Sequence, residues 1–289
     1  MDYSKVKLQD IILPLASNIK LKMLRLDLID EEISGNKWFK LKKNIEIVKS
    51  QGKIGIITFG GAFSNHIAAT ASACKKYNLK SIGIIRGEQV KNHTLISAQQ
   101  NGMELRFVSR ALYKNYKELI QWLNLQFNLD EYLIVPEGGA NRAGIEGCKE
   151  ILGLIHSPFN YVALACGTGT TLAGITYTIN ENQTVLGFPV LKAGNYLENE
   201  IKKNIPLNKY HSFRLFDDYH FGGYAKYNNE LLHFMKKFSA TQNIQLDFVY
   251  TAKLMFGLFD LIEKKYFSDN TTIIAVHSGG IQGNKGINI

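Results

Sequence analysis

Lys37 stands in Gly35-Asn36-Lys37-Trp38-Phe39-Lys40-Leu41, directly after a Gly-Asn pair. That pair reads as a turn, which would hold the lysine amine at a bend of the backbone, off the open face of a helix. Lys37 is therefore the candidate to carry covalent chemistry, with the other motifs cradling what is attached to it. A solvated surface charge is the competing reading. Downstream, glycine-rich corners recur at Gly60-Gly61, Gly138-Gly139 and Gly167-Thr168-Gly169-Thr170-Thr171, each after an apolar run, and Ser278-Gly279-Gly280 follows the last such run. In open α/β sheets, ligands bind where strands end in such corners.

The Gly167 corner has the strongest claim to an anion. Its glycines let backbone N–H groups crowd together, its threonines add hydroxyl donors, and the helix expected next aims its positive end at the loop. A phosphate fits that chemistry. A Walker loop does not, because no Gly-Lys-Ser/Thr closes the motif, and a dinucleotide fingerprint would need glycine where Leu172 stands. A tight turn without a ligand remains the alternative.

Ser64 lies in Gly60-Gly61-Ala62-Phe63-Ser64-Asn65-His66, on a strand-to-helix turn. A nucleophile elbow needs small residues two places to either side, and His66 breaks that pattern. His277 and Asp247 could complete a hydrolase triad only from far along the chain. A helix cap from Ser64 or Asn65 is the simpler expectation, and it is compatible with a functional role. Tyr250, in Asp247-Phe248-Val249-Tyr250-Thr251-Ala252-Lys253, stands at the entry to an expected helix, and Ser278 follows Ala275-Val276-His277. Taken singly, these read as a packed aromatic and a turn residue.

The elements that must position these groups follow from the hydrophobic pattern. Short strands are expected within Ile12 to Leu28, then at Ile54–Phe59, Ser81–Ile85, Glu104–Val108, Tyr132–Val135, Tyr161–Ala165, Thr184–Phe188, Phe213–Phe216 and Thr272–Val276. Helices are expected at Phe39–Lys49, Ile67–Tyr77, Thr94–Gln100, Tyr113–Leu125, Ala143–Ile155, Leu172–Ile179, Tyr196–Lys203, Asn229–Phe238 and Thr251–Lys264. Gly52 should close the first of them. Repeated strand-then-helix units predict an α/β protein of open, twisted, mostly parallel sheets with helices on both faces.

With 289 residues and 45% hydrophobic content, the chain can bury one large core or two modest ones. Its net charge of +9 suits an anionic ligand, but the lysines are dispersed in pairs and carry no nucleic-acid signature. The three cysteines are odd in number and widely spaced, and the seven histidines form no His-x-x-x-His pair. Neither a disulfide framework nor a metal site is expected. No apolar run is long enough to cross a bilayer, the first residues lack a signal-peptide layout, and a reducing cytoplasm is the expected compartment.

The motifs in order are Gly-Asn-Lys, Gly-Gly-x-x-Ser-Asn-His, Pro-Glu-Gly-Gly, Cys-Gly-Thr-Gly-x-Thr, Asp-x-Val-Tyr-Thr-x-Lys and His-Ser-Gly-Gly, running from about Gly35 to Gly280. This series resembles the pyridoxal-phosphate enzymes grouped as 1-aminocyclopropane-1-carboxylate deaminase and D-cysteine desulfhydrase, members of the tryptophan-synthase-β-like fold (fold type II). The resemblance implies that Lys37 holds pyridoxal 5'-phosphate as an imine and moves protons when a substrate amine displaces it. It implies that Asn65 bonds the cofactor's ring oxygen and that Cys166, Gly167, Thr168, Gly169, Thr170 and Thr171 hold its phosphate, with Lys40 adding charge nearby. Ser278 would face the pyridine nitrogen, where a hydroxyl cannot protonate the ring as a carboxylate would, so the electron sink is a restrained one suited to elimination. Ser64 and Tyr250 would contact the substrate and shuttle protons, with Asn65, His66 and Tyr224 completing its surroundings.

The resemblance further implies a large domain from residues 1–37 plus 145–289, an inserted small domain of 38–144, and a homodimer. This chain departs from the family in being shorter, in Phe63 for a usual glutamine and in Trp38-Phe39 for a usual Thr-Arg. Thr251 stands where cyclopropane-opening deaminases carry glutamate, and Ser278 where some carry leucine. These last two favour a lyase that eliminates sulfide from D-cysteine, with the deaminase as runner-up. Phe63 leaves room for a different substrate, or for an idle cofactor-binding protein.

Overall fold

The computed structural model describes residues 1–13, 17–192 and 195–286. The strands are β1 (Leu8–Asp10), β2 (Lys20–Leu24), β3 (Gly55–Gly61), β4 (Lys80–Arg86), β5 (Met103–Val108), β6 (Tyr132–Val135), β7 (Tyr161–Cys166), β8 (Thr184–Pro189), β9 (Phe213–Leu215) and β10 (Thr272–Val276). The helices are α1 (Asn36–Ser50), α2 (Asn65–Lys76), α3 (His93–Gln100), α4 (Arg110–Lys114), α5 (Tyr116–Gln126), α6 (Arg142–Cys148), α7 (Thr170–Thr178), α8 (Asn195–Lys202), α9 (Asn229–Gln242) and α10 (Thr251–Glu263). The chain forms two compact units, Met1–Asn36 with Cys148–Ile289, and Lys37–Gly147. The two crossings of the chain therefore fall at the first residue of α1 and the last of α6.

In the first unit, six strands are ordered β1-β2-β10-β7-β8-β9. Only β1 and β2 are antiparallel; every other pairing is parallel. The last strand in sequence, β10, lies inside the sheet between β2 and β7, which is why Ile273, Ile274, Ala275 and Val276 are all fully buried. One face packs against α9 and α10 through Phe188, Met235, Phe238, Met255 and Leu258. Gly257 makes that fit possible, because a Cβ there would stand 2.6 Å from the Phe188 ring.

The second unit is a four-stranded parallel sheet ordered β5-β4-β3-β6. Its strands alternate between two cores. Ile57, Ile82 and Ile84 join Leu119 and Leu123 of α5 on one side, and Ile85 joins Ile67 of α2 and Leu95 of α3 on the other. Each glycine in β3 costs about 0.5–1 kcal/mol of strand stability. Burying Ile56, Ile57 and Phe59, each worth about 1.5–3 kcal/mol, outweighs it. Helix α1 ends as expected at Gly52, at φ +63°: Gly52 N–H donates to Lys49 O (3.3 Å) and Lys53 N–H to Val48 O (2.9 Å), the two bonds of a Schellman cap.

Three expectations need correction. The first sheet begins earlier than Ile12, at β1, whose Gln9 and Asp10 give no apolar run because it is an edge strand; residues 14–16 of that stretch lie outside the described residues. The helix expected over Tyr113–Leu125 is two, broken where the Asn115 side chain accepts from Glu118 N–H and starts α5 afresh. The helix expected over Ala143–Ile155 tightens after Cys148 into a 3₁₀ segment, Lys149–Leu154, in a stretch weakened by Gly144, Gly147 and Gly153.

Candidate active site

Strand β7 ends at Cys166, whose thiol turns back to Leu164 O (3.6 Å). The chain then bends through Gly167, Thr168 and Gly169 into α7, which starts at Thr170, two residues ahead of the expected Leu172. Thr170 and Thr171 are thus the first helical turn. Gly169, at φ +76°, fills the N-cap position and offers no side-chain cap to the turn's amides. A Cβ on it would meet Ile201 at 2.8 Å and Leu197 at 3.1 Å, so only glycine fits against α8. The Thr168 and Thr170 hydroxyls lie 2.8 Å apart. Uncapped amides at a positive helix end, with hydroxyls beside them, are a donor set that matches a phosphate.

Thr171 has a further partner, since the Asn36 side chain donates to its Oγ1 at 2.8 Å. Asn36 N–H also donates to Ser278 O (3.4 Å). Gly35 closes this contact at φ +67°, where a Cβ would stand 1.9 Å from that same carbonyl oxygen. The Cys148 thiol lies 3.9 Å from Thr171 Oγ1, so residues from both chain crossings meet one hydroxyl. The next residue after Asn36 is Lys37. It does not sit in a turn, as expected, but is the second residue of α1. The bend falls one residue earlier because Gly35 takes the left-handed conformation, and Asn36 is already helical.

Tyr250 is at the N-cap of α10, held there by Asp247. The buried Asp247 carboxylate accepts from the amides of Val249 (3.0 Å), Tyr250 (2.7 Å) and Thr251 (2.9 Å), and from the Thr251 hydroxyl (2.7 Å). A Cβ on Gly167 would lie 3.6 Å from the Tyr250 hydroxyl, which places the phenol beside the glycine corner. The Tyr224 ring meets Tyr250 edge-on, with centroids 6.2 Å apart. His277 accepts from Gly279 N–H at Nδ1 (3.3 Å), so its Nε2 is the N–H that donates to Gln245 O (2.8 Å). With Asp247 and His277 both committed locally, the hydrolase triad drawn from Ser64 has no free base or orienting acid.

In the second unit, Ser64 caps α2 by accepting from Ile67 N–H (3.4 Å). Gly60 is needed beneath it, since a Cβ there would stand 2.8 Å from Ser64 Oγ. Asn65 and His66 open the helix. Thr58 donates to Val135 O (2.8 Å), so the Thr58 hydroxyl accepts from His66 Nε2–H at 3.0 Å. His66 Nδ1 is then a buried acceptor with no hydrogen-bond partner. Burial, with Lys37 and Lys40 nearby, holds the His66 pKa well below the usual histidine range. The Lys40 amine donates to Gly138 O (2.9 Å), and a Cβ on Gly139 would lie 3.1 Å from Lys40 and 3.3 Å from His66.

This neutral histidine has a measurable consequence. Below a pH of about 6.5 the unfolded chain takes up a proton that folded His66 refuses, so stability falls as pH falls, by up to about 1.4 kcal/mol per pH unit. His66→Asn should flatten that slope. Urea titrations of both proteins at pH 7 and pH 5 check it, and equal slopes would refute the assignment.

Each unit thus gathers the sequence-predicted residues that belong to it: Thr168, Thr170, Thr171, Ser278, Tyr224 and Tyr250 in one, and Lys37, Lys40, Ser64, Asn65 and His66 in the other. The profile of the family described as "Pyridoxal-phosphate dependent enzyme" matches residues 31–279, and the chain belongs to that family. It is an α/β enzyme of the pyridoxal-phosphate class with fold type II neighbours, and its cofactor is pyridoxal 5'-phosphate. Among individual proteins, it is 32% identical over 277 residues to a Pyrococcus horikoshii protein provisionally named 1-aminocyclopropane-1-carboxylate deaminase, covering 90% of this chain and 84% of that one. An Arabidopsis thaliana mitochondrial protein named bifunctional D-cysteine desulfhydrase/1-aminocyclopropane-1-carboxylate deaminase is 27% identical over 308 residues, covering 93% of this chain and 74% of that one. A solved structure described as an ACC deaminase homologue superposes with a TM-score of 0.82 at 29% identity, covering 97% of this chain and 90% of that one.

Sequence reasoning singled out Lys37, Ser64 and Tyr250 but passed over the residues that hold them. Asn36 and Asp247 were inside the quoted motifs, and their short polar side chains beside a turn and a helix start were the available signal. Lys253, the last residue of its motif, is fully buried, with its amine donating to backbone carbonyls of His220 (2.8 Å), Gly223 (2.8 Å) and Val190 (3.4 Å).

Proposed function

We propose that the protein eliminates the β-substituent of a small amino acid, with D-cysteine converted to pyruvate, ammonia and hydrogen sulfide. The observation that supports the reading is the pinning of Asn36, the residue directly before Lys37, to Thr171 of the phosphate-type corner and to Ser278. In this reading the amides and hydroxyls of Gly167–Thr171 would hold the coenzyme phosphate, and Ser278 and Asn65 would be the polar side chains serving its ring. Bound there, the coenzyme supplies an electron sink for bond breaking at the substrate α-carbon. Lys37 is the anchoring amine and the group that takes the α-proton. Ser64 uses an oxygen lone pair to cap α2, which leaves its O–H free to donate toward the substrate, and Asn65 and His66 present the same helix start to the carboxylate. Tyr250 and Tyr224 bring phenols to the leaving group, where a hydroxyl can protonate departing sulfide.

Elimination is preferred to cyclopropane opening because of Thr251. Its hydroxyl is buried on Asp247, and no carboxylate stands at the position where cyclopropane-opening relatives carry glutamate. Deaminase activity is the second reading, favoured by the names of both relatives. Sulfide release from D-cysteine by the loaded enzyme should exceed ketobutyrate release from 1-aminocyclopropane-1-carboxylate by about tenfold or more in kcat/KM. The reverse ranking would select the deaminase, and neither product would select another substrate, in line with the exposed Phe63.

The same reading extends to a homodimer in the cytoplasm. Its three cysteines are buried and outside any disulfide, and no helix among the described residues is long and apolar enough to cross a membrane. Sedimentation equilibrium at twice the chain mass of 32.6 kDa would support the dimer, and a single-chain mass would remove it.

A further inference from the structure

The segment that carries Tyr224 is conformationally costly. Phe221 (φ +53°), Gly222 (+92°), Gly223 (+123°) and Ala225 (+55°) all lie in the left-handed region, and two of them are not glycine. Within the segment, Gly223 N–H donates to His220 O and Lys226 N–H to Gly223 O, bonds that shape the loop without attaching it to anything. The Phe221 ring meets Phe256, and the Tyr219 hydroxyl donates to Asp260 at 2.5 Å, so the loop's start has side-chain holds on α10. Its main chain is held from α10 by the Lys253 amine, through His220 O and Gly223 O, with Val190 O after β8 as the third acceptor.

A lysine is an odd choice for this position. Lys253 is fully buried, sits in the first turn of α10 where the helix end is itself positive, and makes no direct ion pair among the described residues. Burial lowers its pKa to about 8, with Asp247 opposing, which leaves the amine charged at neutral pH. Three converging carbonyl oxygens around one ammonium make a cation socket, and a charged donor binds them more strongly than a neutral one.

We propose that Lys253 is a positioning residue whose ammonium acts as an internal cation, drawing the carbonyls of Val190, His220 and Gly223 together so that the loop locks onto α10 and Tyr224 is set against Tyr250. The part played by these tyrosines in turnover rests on the proposed function; the locking of the loop does not.

Lys253→Ala removes three side-chain carbons and the amine, a volume that n-propylammonium can refill. Hydrogen exchange of residues 219–227 should accelerate in the variant by about tenfold or more, while β7 and β8 keep their protection. In the loaded enzyme kcat should fall by about 100-fold with KM changed less than about threefold, as expected when proton-handling groups shift by about an ångström. Excess n-propylammonium should restore both readings, and tetramethylammonium, which has no N–H, should restore neither. A loop whose exchange is unaltered in the variant would overturn the proposal. So would equal effects of the two cations, or a variant that fails to fold with n-propylammonium as well as without it. Normal rescue of exchange in a protein that turns over neither amino acid would leave the lock standing and remove the assigned function.

Discussion

Lys37→Ala should fold, bind pyridoxal phosphate weakly and without a covalent bond, and lose turnover by at least about 1,000-fold. In the proposed reading the size follows from two losses at one atom, the amine that would anchor the coenzyme and the base that would take the α-proton, the second alone worth about 100- to 10,000-fold. The fold should tolerate the change. Lys37 is the second residue of α1, where alanine is the best helix former, and the neighbouring residues that fix the helix start, Gly35 and Asn36, are untouched. The check is a pair of measurements on one preparation, the urea midpoint and the initial rate. A variant with unchanged stability and more than about a tenth of the wild-type rate would show that the chemistry lies elsewhere.

Gly35→Ala is expected to be the most damaging single change at the site that touches no reacting group. Its methyl would have to occupy space 1.9 Å from Ser278 O and 2.5 Å from Gly279 N, both backbone atoms that cannot rotate away. The residue is also at φ +67°, which costs an L-residue about 1–2 kcal/mol before any contact is counted. With the overlap added, about 3 kcal/mol or more of stability should be lost. Relief can come only by separating Gly35 from Ser278, and that motion carries Asn36 off Thr171. Coenzyme affinity should therefore drop together with stability. Thermal unfolding with and without added pyridoxal phosphate measures both, and a variant stabilised by the coenzyme as much as wild type would contradict the pinning.

The alternation of strands and helices was legible because buried parallel strands are apolar on both faces: β6 and β10 fall on their expected bounds to the residue. What the pattern could not give was the order of those strands. Nothing in Thr272–Val276 says that the last strand inserts between β2 and β7, because that position is set by pairing partners far away in sequence. Edge strand β1 was invisible for the opposite reason, having a polar, half-exposed face. At the site, residue type and motif nominated the candidate reacting groups, whereas nothing in the pattern pointed to the side chains that hold the surrounding backbone. Thr171 was expected to serve the phosphate, yet its hydroxyl accepts from Asn36, a partner 135 residues away. Lys253 closed a quoted motif with no role attached, and only the converging carbonyls of a loop 30 residues upstream give it a purpose.

The account stands on Lys37 as the covalent anchor of the coenzyme. Borohydride treatment of the loaded wild-type protein, followed by proteolysis and mass spectrometry, reads that attachment directly. A reduced pyridoxyl group should appear on the peptide containing residue 37 and be missing from Lys37→Ala. Recovery of the group on any other lysine, or of wild-type protein with no covalent label after reduction, would contradict the central claim.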